Sequence, residues 1–503
     1  MTKIRMDWSL IFFALTVSLI GILTIYGGSP AGEVLAKKQV IWLFLGIITM
    51  IVFSFINYQT IGSYSQIIYG VGIFLLIVTL VAGTEVKGAK SWLRIKGLGF
   101  QPAEFMKLAL IIGLAKYLSV REKRIAEINE LFVPFAIAFF PMILIAIQPD
   151  LGYAVLIIPI LIVMLFLAGA NSSILFGFVV VGFFSLFVPM FLEYHKYAII
   201  DDIVQSLRSE NHKLSDAVRI LGFESWRYVD HPSNFSNIKP ETLGWARTTL
   251  LNPENIDLFK KTAVFIFDQN KSYLRDILSN DKIIIISIFV FGIIYGISAF
   301  LYYYYYKIEL IKKVGILMLI ITFALTSSFL LRKMFSFKPH QVIRIVSFAN
   351  PDKFPKGAGY QLRHSIITIG SGKIFGKGFG QGDMTKGDVP FLPEWYNDFI
   401  FSVIGEQFGM FGCIIVLLLL FGLVIRAMSI TWRSKDRFGM LLACGITSTF
   451  FLHIVINSGI SMGLFPVTGI PLILVSYGGS NMIFTYASIG ILLNIYRRRF
   501  TNI

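Results

Sequence analysis

The sequence predicts an all-α polytopic membrane protein, and three observations favour that fold class. The 503 residues are 55% hydrophobic and only 15% charged, and the mean hydropathy of +0.72 is far above that of a soluble chain. Apolar runs of about 20 residues, the length that crosses a bilayer as a helix, recur along the chain. The first run, residues 8 to 27, is too long and too poorly cleavable for a signal peptide, so it is interpreted as a membrane span.

Twelve membrane spans are predicted from the hydropathy pattern. They lie at residues 8 to 27, 39 to 56, 66 to 83, 102 to 118, 131 to 147, 151 to 168, 172 to 192, 283 to 305, 314 to 331, 398 to 425, 437 to 457 and 465 to 495. With the N-terminus inside, the cytoplasmic segments hold fifteen basic residues and the short outer loops hold six. Because cytoplasmic segments carry an excess of Lys and Arg, this distribution favours cytoplasmic N- and C-termini.

The predicted spans divide the chain into five segments. Residues 1–192 hold the first seven spans of a membrane core, and residues 398–503 hold its last three. Between them lie an outer insertion at 193–282, a two-span hairpin at 283–331 and a second long outer loop at 332–397.

The two long outer segments differ in composition. The insertion is predicted to be a small packed helical module, because its apolar residues keep helical spacing: Ile203, Val204, Leu207, Leu214, Val218 and Leu221. The second loop carries nine glycines between residues 357 and 387. Either its backbone approaches a ligand closely or it simply turns often, and composition does not choose between these interpretations.

Several classes of site are disfavoured. Cys413 and Cys444 fall inside apolar runs, which predicts neither a disulfide nor a thiolate metal site. The six histidines lack the paired spacing of a zinc site, so no structural metal is predicted. The stretch from Gly372 to Lys377 has the wrong interval for a nucleotide-binding loop. In a membrane protein, the net charge of +16 is relevant to orientation in the bilayer and to contact with anionic lipids, and it does not indicate binding of nucleic acid.

Glu104 and Lys107 are ionisable residues within a predicted span, where a charge is costly. Their spacing of three places them on one helix face, where they neutralise each other. Two interpretations remain open: a structural ion pair between helices, or a pair that lines a polar cavity beneath the outer loops.

Asp398 stands where the glycine-rich loop meets the next span. A carboxylate at headgroup level, partly desolvated by Phe399 and Phe401, is suited to general-base work. The alternative, which composition alone favours, is a helix N-cap. Further along, Glu406 is interpreted as a polar core residue. His453 and Asn457 share a helix face, and hydrogen bonding between helices is their favoured interpretation.

Seven blocks of sequence resemble motifs of the SEDS family, the shape, elongation, division and sporulation proteins. They are Gly88–Arg94, Gln101–Lys107, Gln148–Gly152, Asn350–Pro351 with Gly357–Tyr360, Ile369–Gly372, Leu392–Glu406, and Pro466–Pro471 with Val475–Ser480. They run in family order over nearly the whole chain except the insertion. Gly376–Gly378 and the Pro-Val-Thr-Gly-Ile-Pro string resemble the RodA branch more than the FtsW branch. The family norm of ten spans implies a SEDS-like bundle of ten core spans plus two extra ones, with residues 332–397 as a catalytic loop.

The resemblance implies a peptidoglycan glycosyltransferase in the bacterial cytoplasmic membrane, with its active site facing outward. Its substrate would be lipid II and its partner a class B penicillin-binding protein. The essential aspartate of the family falls on Asp398, and the family's ionic pair falls on Glu104 and Lys107. Two departures lie nearby: Tyr396-Asn397 replaces a common His-Thr, and His364 replaces a common glutamine.

The implied reaction attacks the anomeric carbon of a lipid pyrophosphate donor with a sugar 4-hydroxyl, and it inverts the linkage. It needs one base and a stabilised leaving group. Asp398 is the expected base, and no cofactor is certain. Either a divalent cation, Mg²⁺ or Mn²⁺, or basic groups would stabilise the pyrophosphate. The candidate substrate-binding residues, besides the ionic pair, are Trp92, Arg94, Arg363, Lys373 and Lys377.

Three other functions compete with elongation-type polymerisation. One is a division polymerase of the FtsW type. Another is a flippase for lipid II, with Glu104 and Lys107 lining its path, although no inverted repeat is evident. The third is a scaffold that only recruits the penicillin-binding protein.

Overall fold

The structure is a computed structural model. It describes residues 6–29, 32–86, 89–95, 98–121, 125, 127–220, 240–269, 280–302, 309–334, 348, 358–383, 392–393 and 395–499. Most of these residues are helical, as expected for an all-α membrane protein.

The helices follow one another with short connections. In chain order they are α1 Trp8–Gly28, α2 Gly32–Phe55, α3 Tyr58–Ser63, α4 Ser65–Ala82, α5 Pro102–Val120, α6 Ile128–Ile147, α7 Leu151–Leu167, α8 Ser172–Glu210, α9 His212–Ile220, α10 Pro240–Leu251, α11 Pro253–Gln269, α12 Asp281–Leu301, α13 Glu309–Met334, α14 Ala358–Ser371, α15 Ile400–Trp432, α16 Arg437–Ser461 and α17 Gly479–Arg498.

Eight helices of the described residues are long and apolar enough to cross a membrane. Each of the twelve predicted spans lies over a helix, but the predicted number of spans stays a prediction. Helix α5 falls outside the eight because it carries three charged residues, Glu104, Lys107 and Lys116. The last predicted span begins too early: it was placed at residue 465, whereas α17 begins at Gly479. Pro466 and Pro471 keep the intervening apolar segment non-helical.

A small antiparallel sheet between α4 and α5 was not predicted. Its strands are β1 Thr84–Val86, β2 Ala89–Ile95 and β3 Leu98–Phe100, in the order β1-β2-β3. Such strands are too short to give a clear alternation of apolar and polar residues.

The chain divides into two compact units, residues 1–175 with 356–503 and residues 176–355. Within the first unit, α15 packs against α1, α14 and α16. Helix α5 packs against α4 and α16, and α17 packs against α2. These contacts bring α5, α16 and the loop before α15 into one neighbourhood.

The second unit contains the predicted helical insertion. Its apolar residues form a buried cluster on α8, α9 and α11, which confirms the helical spacing: Ile203, Leu207, Leu214, Val218, Phe259, Ala263 and Ile266, with Val204 packed against them. Leu221 lies outside the described residues. The boundary predicted at residue 193 falls inside α8, which continues to Glu210 without a break. Helices α12 and α13 pack against each other, as the predicted hairpin requires.

Helix α15 is interrupted at Gly409, whose φ of 68° and ψ of −167° are not helical. Residues 372–378, here called the glycine turn, lie against this break. Four backbone hydrogen bonds join the turn to the helix on the two sides of this break: Met410 N to Lys373 O (2.9 Å), Phe411 N to Ile374 O (3.1 Å), Lys377 N to Glu406 O (2.9 Å) and Gly378 N to Gln407 O (3.1 Å). The amides of Met410 and Phe411 and the carbonyls of Glu406 and Gln407, beside the break, are therefore paired with the turn. Such pairing is what burial in a membrane protein demands.

Glycine is needed on both sides of this contact. A Cβ at Gly376 would lie 2.2 Å from the carbonyl oxygen of Gln407, and a Cβ at Gly409 would lie 2.4 Å from that of Ile374. Both glycines also have positive φ. At these positions glycine allows two backbone segments of the protein, the glycine turn and α15, to approach each other closely.

Gly409→Ala should therefore destabilise the protein by at least about 1–3 kcal/mol, because the residue keeps a left-handed φ and its Cβ meets backbone atoms. Thermal unfolding in detergent measures the loss. Gly370→Ala is the matched control, since nothing lies within 4 Å of a Cβ there. Equal melting temperatures for the two variants would contradict the role of Gly409.

Candidate active site

The predicted ion pair on α5 is present and buried. The Lys107 ammonium lies 2.9 Å from a carboxylate oxygen of Glu104, and Glu104 is only 1% exposed. The Tyr153 hydroxyl, on α7, donates to the other oxygen of Glu104 at 2.5 Å. The Lys107 ammonium also lies 3.0 Å from Nε2 of His453, on α16. The pair therefore joins three helices, which agrees with its structural interpretation.

The hydrogen bond of the second ring nitrogen of His453 determines which tautomer the ring adopts. Its Nδ1 lies 2.9 Å from the carbonyl oxygen of Pro471. A carbonyl only accepts, so Nδ1 carries the proton, and Nε2 of a neutral ring accepts from Lys107. The interhelical hydrogen bonding predicted for His453 is confirmed.

A narrow crevice adjoins the ion pair, and apolar side chains form most of its lining. The alternative interpretation, a pair that lines a polar cavity, stays a prediction. Its volume is about 10 Å³, which is room for about one water molecule. Residues of α5, α16 and α17 form its walls together with Ile473.

Asp398 lies in a half-buried position two residues before Ile400, the first residue of α15. The N-cap residue of α15 is Phe399, so the structure does not support the N-cap interpretation of Asp398. A Cβ at Gly469 would lie 3.9 Å from the carboxylate of Asp398, which places this carboxylate beside the Pro466–Pro471 segment.

The backbone of Asp398 is held by donors from two other elements. Three consecutive carbonyl groups accept hydrogen bonds: Tyr396 O from Tyr477 N (2.9 Å), Asn397 O from Ser476 Oγ (2.6 Å) and Asp398 O from Asn457 Nδ2 (2.9 Å). Each donor lies on α16 or on the loop before α17. These three hydrogen bonds hold the Asp398 segment through its backbone and do not involve the carboxylate.

Asn457 links Asp398 to the loop that His453 also contacts. Its amide donates both to Asp398 O and, at 2.8 Å, to the carbonyl of Ile470. His453 bonds the carbonyl of the next residue, Pro471. These two side chains, one helical turn apart on α16, connect the ion pair to the segment that carries Asp398.

Asn457→Ala should lower the turnover rate, because two buried carbonyls lose their donor and the Asp398 segment loses one of its restraints. Each unpaired carbonyl costs about 1–3 kcal/mol. Asn494→Ala is the matched control: this buried asparagine bonds Tyr58 N and Ser54 O, near the opposite end of α17. Both variants should lose stability, and only Asn457→Ala should lose turnover per folded molecule. Equal turnover would contradict the positioning role.

The predicted basic residues differ in their surroundings. Arg94 is exposed on β2, where Trp92 is partly buried. Arg363 is exposed on α14, and Lys373 is exposed in the glycine turn with a φ of 50°.

Lys377 is already paired with carboxylates. Its ammonium lies 2.8 Å from Glu406, which is fully buried on α15, and 3.1 Å from Asp383. Partial burial lowers the pKa of Lys377, but hydrogen bonds to these two carboxylates outweigh that effect and raise the pKa above its usual value. The cation therefore holds the glycine turn to α15, which favours a structural role over pyrophosphate binding. Glu406 is the polar core residue that the sequence predicted.

Two polar partners were missed by sequence reasoning. Tyr153 bonds Glu104, and Gln101 Nε2 donates to Asp150 at 3.1 Å. A signal existed for the second pair, since Gln101-Pro102 and Gln148-Pro149 are repeated dipeptides that each stand close to an acidic residue. Tyr153 has no such signal, because its role depends on how α7 packs.

A divalent cation would find few protein ligands. Among the described residues, no group of three or more His, Cys, Asp or Glu side chains converges. Mg²⁺ commonly binds through one or two carboxylates together with substrate phosphates. A site made entirely of protein ligands does not fit the described residues.

Fold and site together define a multi-pass helical membrane protein with a buried charge cluster close to a half-buried aspartate. The chain belongs to the FtsW/RodA/SpoVE family: the family model, described as "Cell cycle protein", matches residues 5–216 and 268–500. The unmatched stretch, 217–267, is narrower than the insertion predicted at 193–282.

Relatives align over nearly the whole chain. Peptidoglycan glycosyltransferase RodA of Treponema pallidum (strain Nichols) is 30% identical over 513 residues, covering 98% of each chain. Stage V sporulation protein E of Bacillus subtilis (strain 168) is 26% identical over 506 residues, again covering 98% of each.

Solved structures share the fold. The crystal structure of the Thermus thermophilus rod-shape-determining protein RodA matches with a TM-score of 0.54, at 20% identity and 100% coverage of both chains. A chain from a study of polymerization and crosslinking by a peptidoglycan synthase complex matches with a TM-score of 0.58, at 21% identity and 99% coverage of both.

Proposed function

We propose that this chain is a peptidoglycan glycosyltransferase that polymerises lipid II into glycan strands during cell-wall elongation, with Asp398 as general base. The observation that carries the proposal is the fixed position of Asp398, whose backbone is held by hydrogen bonds from α16 and from the loop before α17. Full-length similarity to a relative named as such a transferase supports the reaction class.

In the proposed reaction, the acceptor 4-hydroxyl attacks the anomeric carbon of the donor. A new glycosidic C–O bond forms, and the bond from that carbon to the pyrophosphate oxygen breaks with its electron pair. Asp398 accepts the hydroxyl proton as the nucleophile attacks. The leaving pyrophosphate already bears negative charge, so it needs cationic stabilisation and no protein acid.

Stabilisation of the pyrophosphate is assigned to the exposed cations Arg94, Arg363 and Lys373 or to a divalent cation, Mg²⁺ or Mn²⁺. Lys377 is a weaker candidate because Glu406 and Asp383 already neutralise it. A bound cation would act as a Lewis acid on the pyrophosphate. The protein's own part is then to hold the Asp398 carboxylate against the acceptor hydroxyl.

The location and the partner belong to the same proposal. The protein would lie in the bacterial cytoplasmic membrane with both termini in the cytoplasm and Asp398 on the outer side, as the distribution of basic residues favours. Its partner would be a class B penicillin-binding protein, a proposal supported by the similarity to a chain studied in a peptidoglycan synthase complex.

In the decisive experiment, the purified protein is reconstituted in vesicles that contain fluorescent lipid II. Glycan polymer is the expected product. Movement of lipid II across the bilayer without polymer would mean a flippase, and neither activity would mean a scaffold.

The insertion is proposed to contact a partner or to regulate activity rather than to take part in catalysis. Replacing residues 200–278 with a flexible linker should leave polymerisation by the purified protein intact. The buried cluster built on Ile203, Leu207 and Phe259 lies entirely within the replaced segment, so no part of it remains exposed. Association with the penicillin-binding protein, or activity in cells, should change. A stable linker variant that makes no polymer would place the insertion in the catalytic machinery.

A further inference from the structure

The tip of the glycine turn, Ile374 and Phe375, is exposed although its backbone is well braced. The turn continues directly from α14, with Gly376 N bonded to Gly372 O at 2.7 Å. On its other side the carbonyls of Lys373 and Ile374 accept from α15. The tip therefore has a fixed conformation.

Both side chains of the tip are exposed, and Phe375 is among the most exposed large apolar residues of the described chain. Phe375 is 81% exposed and Ile374 is 55% exposed. An adjacent pair of large apolar residues held out in a fixed position indicates a surface that meets an apolar environment.

The neighbours of the tip identify that environment. On α15, residues 400–407 are all buried, and Met410 and Phe411, bonded to the turn, are the first large apolar residues with high exposure. From there an exposed apolar row runs along a helix apolar enough to cross a membrane, as far as Leu418 and beyond. The tip thus lies level with the start of a lipid-facing row.

A second contact joins the neighbourhood of the turn to α1. The ring of Phe379 stacks on that of Tyr26 with centroids 6.3 Å apart. Tyr26 lies near the end of α1, another helix able to cross a membrane. Tyrosine is enriched at the level of the lipid headgroups.

We propose that Ile374 and Phe375 insert into the adjoining lipid leaflet and anchor the glycine turn in the membrane. Their side chains contact acyl chains, continuing the lipid-facing row of α15. Lys373, exposed beside them, extends its ammonium to the headgroups while its stem stays in the apolar layer. This inference is independent of the proposed reaction.

A spin label measures the depth of the tip. The buried cysteines Cys413 and Cys444 are replaced by alanine, and a single label is placed by Phe375→Cys in vesicles of phosphatidylethanolamine and phosphatidylglycerol. Oxygen concentrates among acyl chains and a nickel chelate stays in water, so the ratio of their collision rates reports immersion. Leu418→Cys on α15 is the lipid-facing reference, and Lys261→Cys in the insertion is the aqueous reference.

We expect the ratio at residue 375 to shift to the Leu418 value, with Lys373→Cys giving a shallower depth. Because the vesicles contain no isoprenoid lipid, immersion would be due to ordinary acyl chains and not to a substrate tail. A ratio equal to that of Lys261 would overturn the proposal. Low collision rates with both reagents would overturn it too, since they would mean that protein covers the tip. Ile374→Cys repeats the test if Phe375→Cys does not fold.

Discussion

Asp398→Asn should reduce polymerisation of lipid II by about 100- to 10,000-fold, the usual contribution of a general base. An amide keeps the size of the side chain but cannot take the proton of the attacking hydroxyl. The restraints on this segment act on the backbone carbonyls of residues 396–398, so the substitution leaves them in place. Initial rates with purified variant and fluorescent lipid II measure the loss.

Asp383→Asn provides the control for this experiment. It makes the same chemical change at an exposed carboxylate, and Lys377 keeps its bond to Glu406. Its polymerisation rate should match that of the parent. Both variants should unfold at temperatures close to that of the parent protein. A lower polymerisation rate in Asp398→Asn would then be due to the chemical step and not to unfolding. An Asp398→Asn protein that still polymerises at the parental rate would remove Asp398 from the proposed mechanism.

Lys107→Met should lower the free energy of unfolding by about 3–5 kcal/mol, the cost of breaking a buried ion pair. Glu104 would keep its carboxylate in a site of 1% exposure with only the Tyr153 hydroxyl bonded. His453 would also lose the donor to its Nε2. Thermal unfolding in detergent measures the effect.

Two further variants make this test specific. Lys116→Met makes the same substitution on the same helix at an exposed position, and surface changes of this kind stay within about 0.5 kcal/mol. The double variant Glu104→Gln with Lys107→Met removes both charges, so it should be more stable than Lys107→Met alone. If Lys107→Met unfolds at the parental temperature, Glu104 and Lys107 are not energetically coupled.

The long apolar helices were predictable because each needs only a long apolar run, which hydropathy detects. Helix α14, inside the predicted loop 332–397, has no such run and was not predicted. The error before α17 has a physical cause. Val467, Ile470 and Leu472 are buried in a loop, and hydropathy does not distinguish an apolar loop inside a protein from an apolar helix in lipid. Two prolines mark the difference, but proline also occurs within membrane helices here, at Pro159 of α7 for example.

At the site, the pairs that could be predicted from the sequence were those set by spacing along one helix. Contacts between different helices could not be predicted. Three residues separate Glu104 from Lys107, so their pairing follows from helix geometry alone. The bonds of Lys107 to His453 and of Glu104 to Tyr153 depend on the packing of α16 and α7. For the same reason the sequence did not predict the pairing of Lys377 with Glu406, which is 29 residues away along the chain.

The break at Gly409 has a consequence for biosynthesis. Until the glycine turn docks, α15 carries unpaired amide and carbonyl groups that are costly to place in hydrocarbon. The turn precedes α15 in the chain, so the ribosome completes it before the helix that depends on it. We therefore expect the nascent chain to enter the bilayer as a two-part assembly, with turn and helix inserting as one unit rather than as a helix followed by a later loop.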